Sequence, residues 1–426
     1  MSPLLTLTLQ IAVVLGATSL TARLFRTIGQ PRVVGEMFAG IVLGPSVLGF
    51  ISPGLSQVLF ASPSLPFLNA LSQVGIVIYM FLVGMDINVD ALRKHGHTAV
   101  MTSHVSIAAP LFLGVVLAVV LYPRLADDTV GFSAFALFVG TAMSITAFPV
   151  LARILTEQRL VTTKIGTLVL ACAAVDDLTG WCILAYVVWL VRMQQDHVMR
   201  LWVTLLGLTT FVAFMFGFAR HRLRHFAVVH AKHRRLPDST LATMMFLVFM
   251  SAAATEALGL HMLFGAFFMG TMMPKDDSLV AYVKSRLETV TVIVLLPLYF
   301  TFTGLRTQVR LVTAPDVSWL FLMILAAAIA GKLGGSMLAA RCSGCSWRES
   351  TAIGALMNTR GLMELVVLNI GLDIGVISPA MFSMMVLMAL VTTVMAVPMF
   401  KLAMSPRAPL RADASSDTTF YNTTSV

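Results

Sequence analysis

Long apolar segments follow one another along almost the whole 426-residue chain, and they limit its fold more than any other feature. A helix that spans a membrane needs about 20 mainly apolar residues. Thirteen segments reach or approach that length, although the ninth is short enough to be broken or to join its neighbour. They lie near 4–22, 33–50, 66–86, 98–122, 129–152, 162–191, 201–219, 239–259, 261–274, 288–305, 317–340, 350–371 and 377–400.

The composition agrees with a chain that lies in a lipid bilayer. Hydrophobic residues make up 58% of the chain and charged residues only 12%, whereas a water-soluble domain carries about 25% charged residues. Too few polar side chains are available to cover a soluble globule, which excludes a soluble enzyme, a nucleic-acid-binding protein and a disordered protein. We therefore predict an all-α polytopic membrane protein with about 13 transmembrane helices.

The basic residues indicate how these helices are oriented. If the N-terminus lies outside, 22 of the 29 Lys and Arg residues fall in loops on the inner side and five on the outer side. Because cytoplasmic loops carry an excess of Lys and Arg, we predict an N-terminus outside and a cytoplasmic C-terminus. The simplest location is a plasma (inner) membrane.

The chain divides into one membrane domain and two polar segments. The transmembrane domain covers 1–403, with halves at about 1–219 and 239–403. The basic segment 220–238 is predicted to be a cytoplasmic linker that contacts anionic membrane lipid. The polar tail 404–426 is rich in Ser, Thr and Asp and is predicted to be disordered and cytoplasmic.

Two pairs of matching segments indicate that the halves are inverted repeats. The matches join 79–89 to 299–309 at an offset of 220, and 139–151 to 353–365 at an offset of 214. The first match places Asp86, at a loop assigned inside, opposite Arg306, at a loop assigned outside. Secondary transporters are often built from repeats of such opposite topology, although a duplication without transport is the alternative.

Polar residues and helix breakers interrupt one apolar segment in each half at matching positions. They are Ser144, Thr146 and Pro149 in the first half, and Asn358, Thr359, Arg360 and Gly361 in the second. Pro149 disfavours helical geometry at the residue before it, and Gly361 loosens its own helix. We predict two crossed discontinuous helices whose free backbone groups line a substrate site; a simple kink is the alternative.

Two adjacent carboxylates, Asp176 and Asp177, lie midway through an otherwise apolar segment. Each such residue costs roughly 2.5–3.5 kcal/mol on insertion scales, which favours a functional role. One carboxylate could face a cavity while the other pairs with Lys332, a lysine deep in another apolar segment. A carboxylate that holds either a proton or an alkali cation couples their opposing fluxes. The alternatives are an Asp pair that only bridges helices and a lysine that extends to the membrane interface.

The remaining charged or reactive residues are expected to support the structure. Arg360 and Glu364, four residues apart, can pair on one helix face and stabilise the second broken helix rather than bind the ion. The CxxC pattern of Cys342 and Cys345 lacks a second pair that would complete a zinc site. We expect no cofactor.

Six segments together resemble the monovalent cation:proton antiporters of the cation:proton antiporter-2 branch, often called sodium/hydrogen exchangers. The segments are GEMFAGIVLGPSVLG at 35–49, FLVGMDI at 81–87, SITAFPVLARIL at 144–155, AAVDDLTGW at 173–181, GLHMLFGAFFMGTMMP at 259–274 and MNTRGLMELVVLNIGL at 357–372. The resemblance covers about 1–403. The last segment is similar to endosomal and plant-type potassium/proton exchangers of this branch.

The resemblance implies a core domain with two crossed broken helices, a dimerisation domain, and alternating access through an elevator-like movement of the core. In members with an Asp-Asp pair the second Asp binds the ion and the first pairs with a core lysine. These residues correspond here to Asp177, Asp176 and Lys332. Thr146 and the neighbouring backbone around Ser144 would complete the ion coordination, and such members look electrogenic.

The predicted function is secondary active exchange of Na+ or K+ for protons, without covalent chemistry. An organic-anion symporter of similar topology, such as a bile-acid type, and a non-transporting sensor are alternatives. An intramembrane aspartyl protease is less favoured, because it needs one carboxylate from each of two helices whereas Asp176 and Asp177 are neighbours on one. We expect a homodimer that contacts membrane lipid and binds no nucleic acid.

Overall fold

The computed structural model describes residues 3–404 except 62, 87–95, 127–129, 162, 196–197, 234–236 and 315–316. Within these residues every regular element is a helix, in agreement with the predicted all-α fold. The predicted tail lies outside the described residues apart from Met404. The helices of the first half are α1 (Pro3–Thr27), α2 (Arg32–Leu43), α3 (Leu48–Ile51), α4 (Pro53–Leu59), α5 (Leu65–Asp86), α6 (Gly96–Leu125), α7 (Phe132–Ser144), α8 (Phe148–Glu157), α9 (Lys164–Gln195) and α10 (Val198–Phe214).

After α10 the chain continues without a gap into a further helix, and the second half of the chain follows that helix. Three π-helical turns, Met215–Ala219, Thr291–Leu295 and Ala330–Gly334, each join two α-helices into one longer helix. The helices are α11 (Arg220–His233), α12 (Asp238–Ala257), α13 (Met262–Met272), α14 (Asp277–Val290), α15 (Leu296–Arg306), α16 (Val309–Val312), α17 (Ser318–Ile329), α18 (Gly335–Cys342), α19 (Trp347–Met357), α20 (Leu362–Asp373) and α21 (Pro379–Met404).

Ten helical segments in the described part of the chain are long and apolar enough to cross a membrane. The pair α19 and α20, bent by 43° at its break, makes eleven if it counts as one span. The predicted count of thirteen is therefore not confirmed. The two other predicted segments correspond to α10, which has 17 residues before its π turn, and to the short apolar helix α13, which has 11.

Two helices break near the middle of the bundle, and the breaks touch each other. Residues 145–147 separate α7 from α8, and residues 358–361 separate α19 from α20. Pro149 lies in the first turn of α8, where its missing N–H removes no helical hydrogen bond, so the break falls on its N-terminal side. The Ala147 N–H donates to the Thr359 carbonyl at 3.2 Å, which joins the two discontinuous helices at their breaks.

Equivalent helices of the two halves run in opposite directions. Helix α5 ends at Asp86, and the helix formed by α14 and α15 ends at Arg306, 220 positions later. Helices α8 and α20 begin at Phe148 and Leu362, 214 positions apart. Asp86 lies beside the first turns of α14, whereas Arg306 lies beside the last turn of α20 at the opposite end of that long helix. The predicted inverted repeat is thus present in the helix bounds.

The helices pack into two groups. The first, which we call the crossing group, contains the broken helices together with α6, α9, α17, α18 and α21. The second, the flanking group, contains α1, α2, α5 and α12–α15. The predicted basic linker is largely the helix α11, which buries Leu223, Phe226 and His230 on one side and exposes its arginines on the other.

Glycines let the helices of the flanking group touch backbone to backbone. A Cβ atom on Gly304 of α15 would collide with the backbone of Gly40 in α2, and one on Gly270 of α13 would collide with the carbonyl of Phe81 in α5. Lipid supplies no hydrophobic driving force between helices. Helices in a membrane associate instead through close van der Waals packing, which small residues at these positions permit.

We expect Gly304→Ala to lower the free energy of unfolding by about 3 kcal/mol, because the added methyl group meets backbone that cannot rotate away. Thermal unfolding in detergent would measure the effect. The matched control is Gly16→Ala in α1, where a Cβ has no neighbour within 4 Å. Equal melting temperatures for the two variants would contradict the close packing of α2 on α15.

Candidate functional site

The two predicted carboxylates lie side by side at the centre of the crossing group. Asp176 and Asp177 are in the middle of α9, and neither is exposed to solvent. They face the level at which α7 and α19 end and α8 and α20 begin. This position follows from the sequence, since the carboxylates and the two helix breaks are each about midway through their apolar segments.

Asp176 is saturated with hydrogen bonds. Its Oδ2 lies 2.6 Å from Nζ of Lys332 and accepts from the Thr146 hydroxyl at 2.8 Å. Ser103 donates to Oδ1 at 2.7 Å and Ser106 donates to Oδ2 at 2.8 Å. A buried charge is tolerated when it is paired and hydrogen-bonded in this way, so Asp176 forms a fixed link between α9, α6, the first break and the helix that carries Lys332.

Lys332 lies on the π turn between α17 and α18 and is completely buried. Besides Asp176 it donates to the carbonyl of Ser144 at 2.5 Å and to that of Ser106 at 3.1 Å. The neighbouring Gly331 permits this approach, because a Cβ there would collide with Pro110 of α6. The predicted pairing of Lys332 with the first Asp is therefore the geometry that the structure contains.

Asp177 differs from Asp176 in its hydrogen bonding. Both of its carboxylate oxygens are buried and lack a hydrogen-bond partner among the described residues. The N–H of Phe148, at the start of α8, interacts with it electrostatically. A helix N-terminus carries partial positive charge, so Asp177 faces a weakly positive backbone surface with free coordination capacity.

A cavity of about 420 Å³ opens between the flanking group and α8. Its walls come from α2, α5, α8, α14 and α15, and they include Phe148 at the inner end. Three carboxylates, Glu36, Asp86 and Glu288, line it together with Arg153 and Lys284. We call the end of the bundle where this cavity opens the cavity end, and the opposite end, where Arg306 lies, the far end.

The inner end of the cavity adjoins Asp177. Phe148 lines the cavity and its N–H interacts with that carboxylate, while Tyr79, another lining residue, also interacts with it electrostatically. Asp177 itself has no exposed surface. The carboxylate is therefore next to the cavity and has no surface open to it in this conformation.

Arg360 and Glu364 pair as the four-residue spacing predicts. Nη1 of Arg360 lies 3.2 Å from Oε2 of Glu364, in ion-pair contact without hydrogen-bond alignment, and both side chains are buried. The guanidinium also donates to the carbonyls of Ala142 at 3.0 Å and Met143 at 2.7 Å, in the last turn of α7. Cations are favoured at a helix C-terminus, so Arg360 caps the half-helix on which Lys332 also acts.

Ser144 and Thr146, which the sequence predicts to contribute to the ion site, are hydrogen-bonded within the crossing group. The Ser144 hydroxyl donates to the carbonyl of Thr141 at 2.8 Å, and the Ser144 carbonyl accepts from Lys332. The Thr146 hydroxyl is engaged by Asp176. The Asn358 amide and the Thr359 hydroxyl are buried without a hydrogen-bond partner among the described residues.

Two charged groups in the loop before α14 have shifted pKa values. Burial lowers the pKa of Lys275 to about 8, although Asp86 partly opposes the shift. Its ammonium donates to the carbonyls of Gly84, Met85 and Gly270, where α5 and α13 end. Hydrogen bonds from Ser278 and the Leu279 N–H hold the pKa of Asp276 below its usual value.

Ser103 and Ser106 are the site residues that the sequence interpretation missed. They lie three residues apart on α6 and reach Asp176 from the same helix face. Their spacing within an apolar segment was the available signal, but a serine can bond to its own helix backbone and so attracts little attention in sequence.

Comparison with known proteins assigns most of the chain to one group. Residues 13–404 match the family described as "Sodium/hydrogen exchanger, transmembrane". The Na+/H+ antiporter NhaS4 of Synechocystis is 41% identical over 397 residues, which cover 93% of this chain and 96% of that protein. The K+/H+ antiporter 1 of Saccharomyces cerevisiae is 35% identical over 94% of this chain, and the match spans 46% of the longer yeast protein.

A solved structure shares the fold. The sodium proton antiporter NhaP1 of Methanocaldococcus jannaschii aligns with 95% of this chain and 99% of its own, with a TM-score of 0.63 and 15% sequence identity. At that identity the likeness concerns the arrangement of helices alone.

Proposed function

Because the chain belongs to the sodium/hydrogen exchanger family and exchanges a monovalent cation for protons, we propose that H+ and the cation compete for Asp177. The protein is accordingly a transporter and not an enzyme. The observation that carries the proposal is the contrast between the two carboxylates: Asp176 has four hydrogen-bonding or ion-pair partners, whereas both oxygens of Asp177 are buried without a hydrogen-bond partner in the described part of the chain. Neither the organic-anion symporter nor the aspartyl protease is supported by the relatives.

Coupling follows from the cost of an unpaired charge in a dry site. An ionised carboxylate without a partner is expensive inside a membrane protein. Asp177 can pass from access to one side of the membrane to access to the other only when a proton neutralises the carboxylate or a cation binds to it. Because one carboxylate cannot carry both at once, inward movement of one species is tied to outward movement of the other.

The surrounding residues have positioning roles in this proposal. Asp176 and Lys332 hold α9 against the C-terminal end of α7, and Arg360 with Glu364 holds the second broken helix. The free side-chain atoms of Asn358 and Thr359, on the break that crosses the first, are available as additional oxygen ligands. Hard oxygen ligands suit alkali cations, as they suit other hard cations.

The transported cation is Na+ or K+. The relatives carry both ions in their names, Na+ in the Synechocystis protein and K+ in the yeast protein. We further propose that the N-terminus lies outside the plasma (inner) membrane, so that the cavity end faces the cytoplasm, that α11 contacts anionic lipid, and that two copies form a homodimer.

Ion-driven collapse of a proton gradient tests the function directly. Purified protein in proteoliposomes with an acidic interior should release luminal protons when NaCl or KCl is added outside, as a recovery of the fluorescence of a pH-sensitive dye. Choline chloride is the control for osmotic and chloride effects, and LiCl measures how narrowly the site selects by size. A dye signal that is the same for choline as for Na+ and K+ would contradict the proposed cation site.

A further inference from the structure

A polar seam closes the far end of the bundle between the flanking and crossing groups. Nη2 of Arg306 lies 2.6 Å from Oδ1 of Asp373, and Nη1 donates to Oδ1 of Asn369 at 2.9 Å. The Asn369 amide donates in turn to the hydroxyls of Thr303 at 2.9 Å and Tyr299 at 3.2 Å. Three residues of α15, spread over two turns, thereby bond to side chains of α20.

The equivalent positions of the other repeat line the open cavity instead. At the offset of 220, Tyr299, Thr303 and Arg306 correspond to Tyr79, Val83 and Asp86, and all three of the latter are cavity-lining residues. The face of α15 that closes the far end therefore corresponds, in the other repeat, to the face of α5 that lines the open cavity.

The charges of the seam recur with reversed signs. At the offset of 214, Asp373 corresponds to Arg159, just beyond the end of α8. Arg306 has Asp86 as its counterpart, so the pair Arg306 and Asp373 at the far end is matched by Asp86 and Arg159 at the cavity end. Arg159 is exposed in the turn that ends α8, with a φ of 57°, and it lies three positions after the cavity-lining residue Thr156 in the chain.

Within the described residues, the hydrogen bonds of the Asp86 side chain go to the flanking group and not to the crossing group. Both of its oxygens lie 2.9 Å from Nζ of Lys284, a residue of the flanking group itself. The side chain is about one-third exposed, which leaves it free to exchange partners at low cost.

We propose that Asp86 and Arg159 form the cavity-end counterpart of the Arg306–Asp373 ion pair, and that the two pairs form alternately during exchange. The inference rests on the proposed function, since closing one end while the other opens matters only if Asp177 is served from both sides in turn. We call each of these ion pairs a latch. In the present conformation the far-end latch, Arg306 with Asp373, is formed, and Asp86 is paired with Lys284 instead of Arg159. When the crossing group moves, Arg306 releases Asp373 and Asp86 passes from Lys284 to Arg159.

Partly exposed pairs suit this role because each is weak. A strong latch would trap one conformation, whereas a weak pair shifts the balance between two states only several-fold. The four charged residues are thus positioning residues that set which end is open, and they do not bind the transported ion.

Labelling of the cavity tests the far-end latch. The reporter is Thr156→Cys in a protein whose native cysteines are replaced by serine, and its reaction with a membrane-impermeant maleimide is measured from the cavity side. We expect Arg306→Glu to slow labelling several-fold, because the population moves to the state with a closed cavity. The charge swap Arg306→Glu with Asp373→Arg should restore the rate, and unchanged labelling in Arg306→Glu would overturn the proposal.

The same reporter tests the partner of Asp86. In the Arg306→Glu background, adding Asp86→Arg should restore labelling by breaking the second latch, and adding Arg159→Glu as well should slow it again. Arg153→Glu is the matched control, since Arg153 lines the same cavity. A second slowing with Arg153→Glu instead of Arg159→Glu would overturn the assignment of Arg159.

Cross-linking tests the pair even if the charge variants fail to accumulate. Oxidation of Asp86→Cys with Arg159→Cys in membranes should form a disulfide that stops exchange until a reductant is added. The control pair, Asp86→Cys with Lys284→Cys, joins two residues of the flanking group and should form without stopping exchange. Failure of the first pair to cross-link, or undiminished exchange once it has formed, would overturn the proposal.

The labelling assay also separates this inference from the role of Asp177. It reports conformation and requires no ion flux. If Asp177→Asn leaves exchange intact while the latch variants shift labelling as expected, the proposed ion site fails and the latches stand. If Asp177→Asn stops exchange while labelling ignores the latch variants, the latches fail and the ion site stands.

Discussion

Replacing Asp177 by Asn is expected to reduce cation:proton exchange to the background of protein-free vesicles. The amide has nearly the shape of the carboxyl group but cannot release a proton, and it offers a cation no negative charge. The two oxygens of Asp177 have no hydrogen-bond partner among the described residues, and the oxygen of an Asn can still face the Phe148 N–H, so the substitution should leave the fold intact. The dye-based assay in proteoliposomes measures the loss for Na+ and K+ alike.

Two comparisons make this expected result specific. Asp177→Glu keeps a titratable carboxylate at the site and should retain measurable exchange, whereas Asp177→Asn should retain none at any pH. The melting temperature of both variants should stay close to that of the parent protein. Normal exchange by a folded Asp177→Asn protein would rule out competition at this carboxylate.

Removing Lys332 is expected to have the largest effect on stability. Lys332→Ala leaves the fully buried carboxyl group of Asp176 without its ion-pair partner, and breaking one partner of a buried pair costs about 3–5 kcal/mol. The double variant Asp176→Asn with Lys332→Ala removes both charges and should recover much of the loss, since the Asn oxygen can accept from Ser103 and its amide N–H groups can donate to the hydroxyl oxygens of Ser106 and Thr146. Thermal unfolding of the four proteins measures the coupling between the two residues.

The same variants report on charge movement. If Lys332 and Asp176 exchange their proton during the cycle, Lys332→Ala and Asp176→Asn should alter the pH profile of exchange or its response to an imposed membrane potential. A potassium diffusion potential in the presence of valinomycin, with Na+ as the transported ion, supplies that test. Strictly additive destabilisation, or unchanged sensitivity to potential in both single variants, would contradict a working pair.

Much of the site was predictable because polar groups in an apolar segment have few reasons to be there. The price of burying Asp176, Asp177 and Lys332 singles them out in sequence, and the structure brings all three to the level of the helix breaks. Which Asp pairs with Lys332 depends on the rotation of α9 against its neighbours. The residue pattern alone allowed either, and the family resemblance supplied the assignment.

The parts that the sequence did not predict depend on geometry over long separations. Ser103 and Ser106 become ligands of Asp176 only because α6 packs on α9 across some 70 residues of chain. The hydrogen bonds of Ser144 and Thr146 were likewise not predictable from residue type, since the hydroxyl of one donates to its own helix and that of the other donates to Asp176. The number of spans also depended on helix lengths, which composition does not fix for α10 and α13.

The glycine contacts within the flanking group limit how the protein can deform. Where α2 meets α15 and α5 meets α13, backbone lies against backbone, and no flexible side chain is present to absorb sliding. Relative motion is easier across the boundary with the crossing group, where the partly exposed ion pair of Arg306 and Asp373 can separate and re-form. The flanking helices thus move as one rigid unit, and conformational change during transport is concentrated at their boundary with the crossing group.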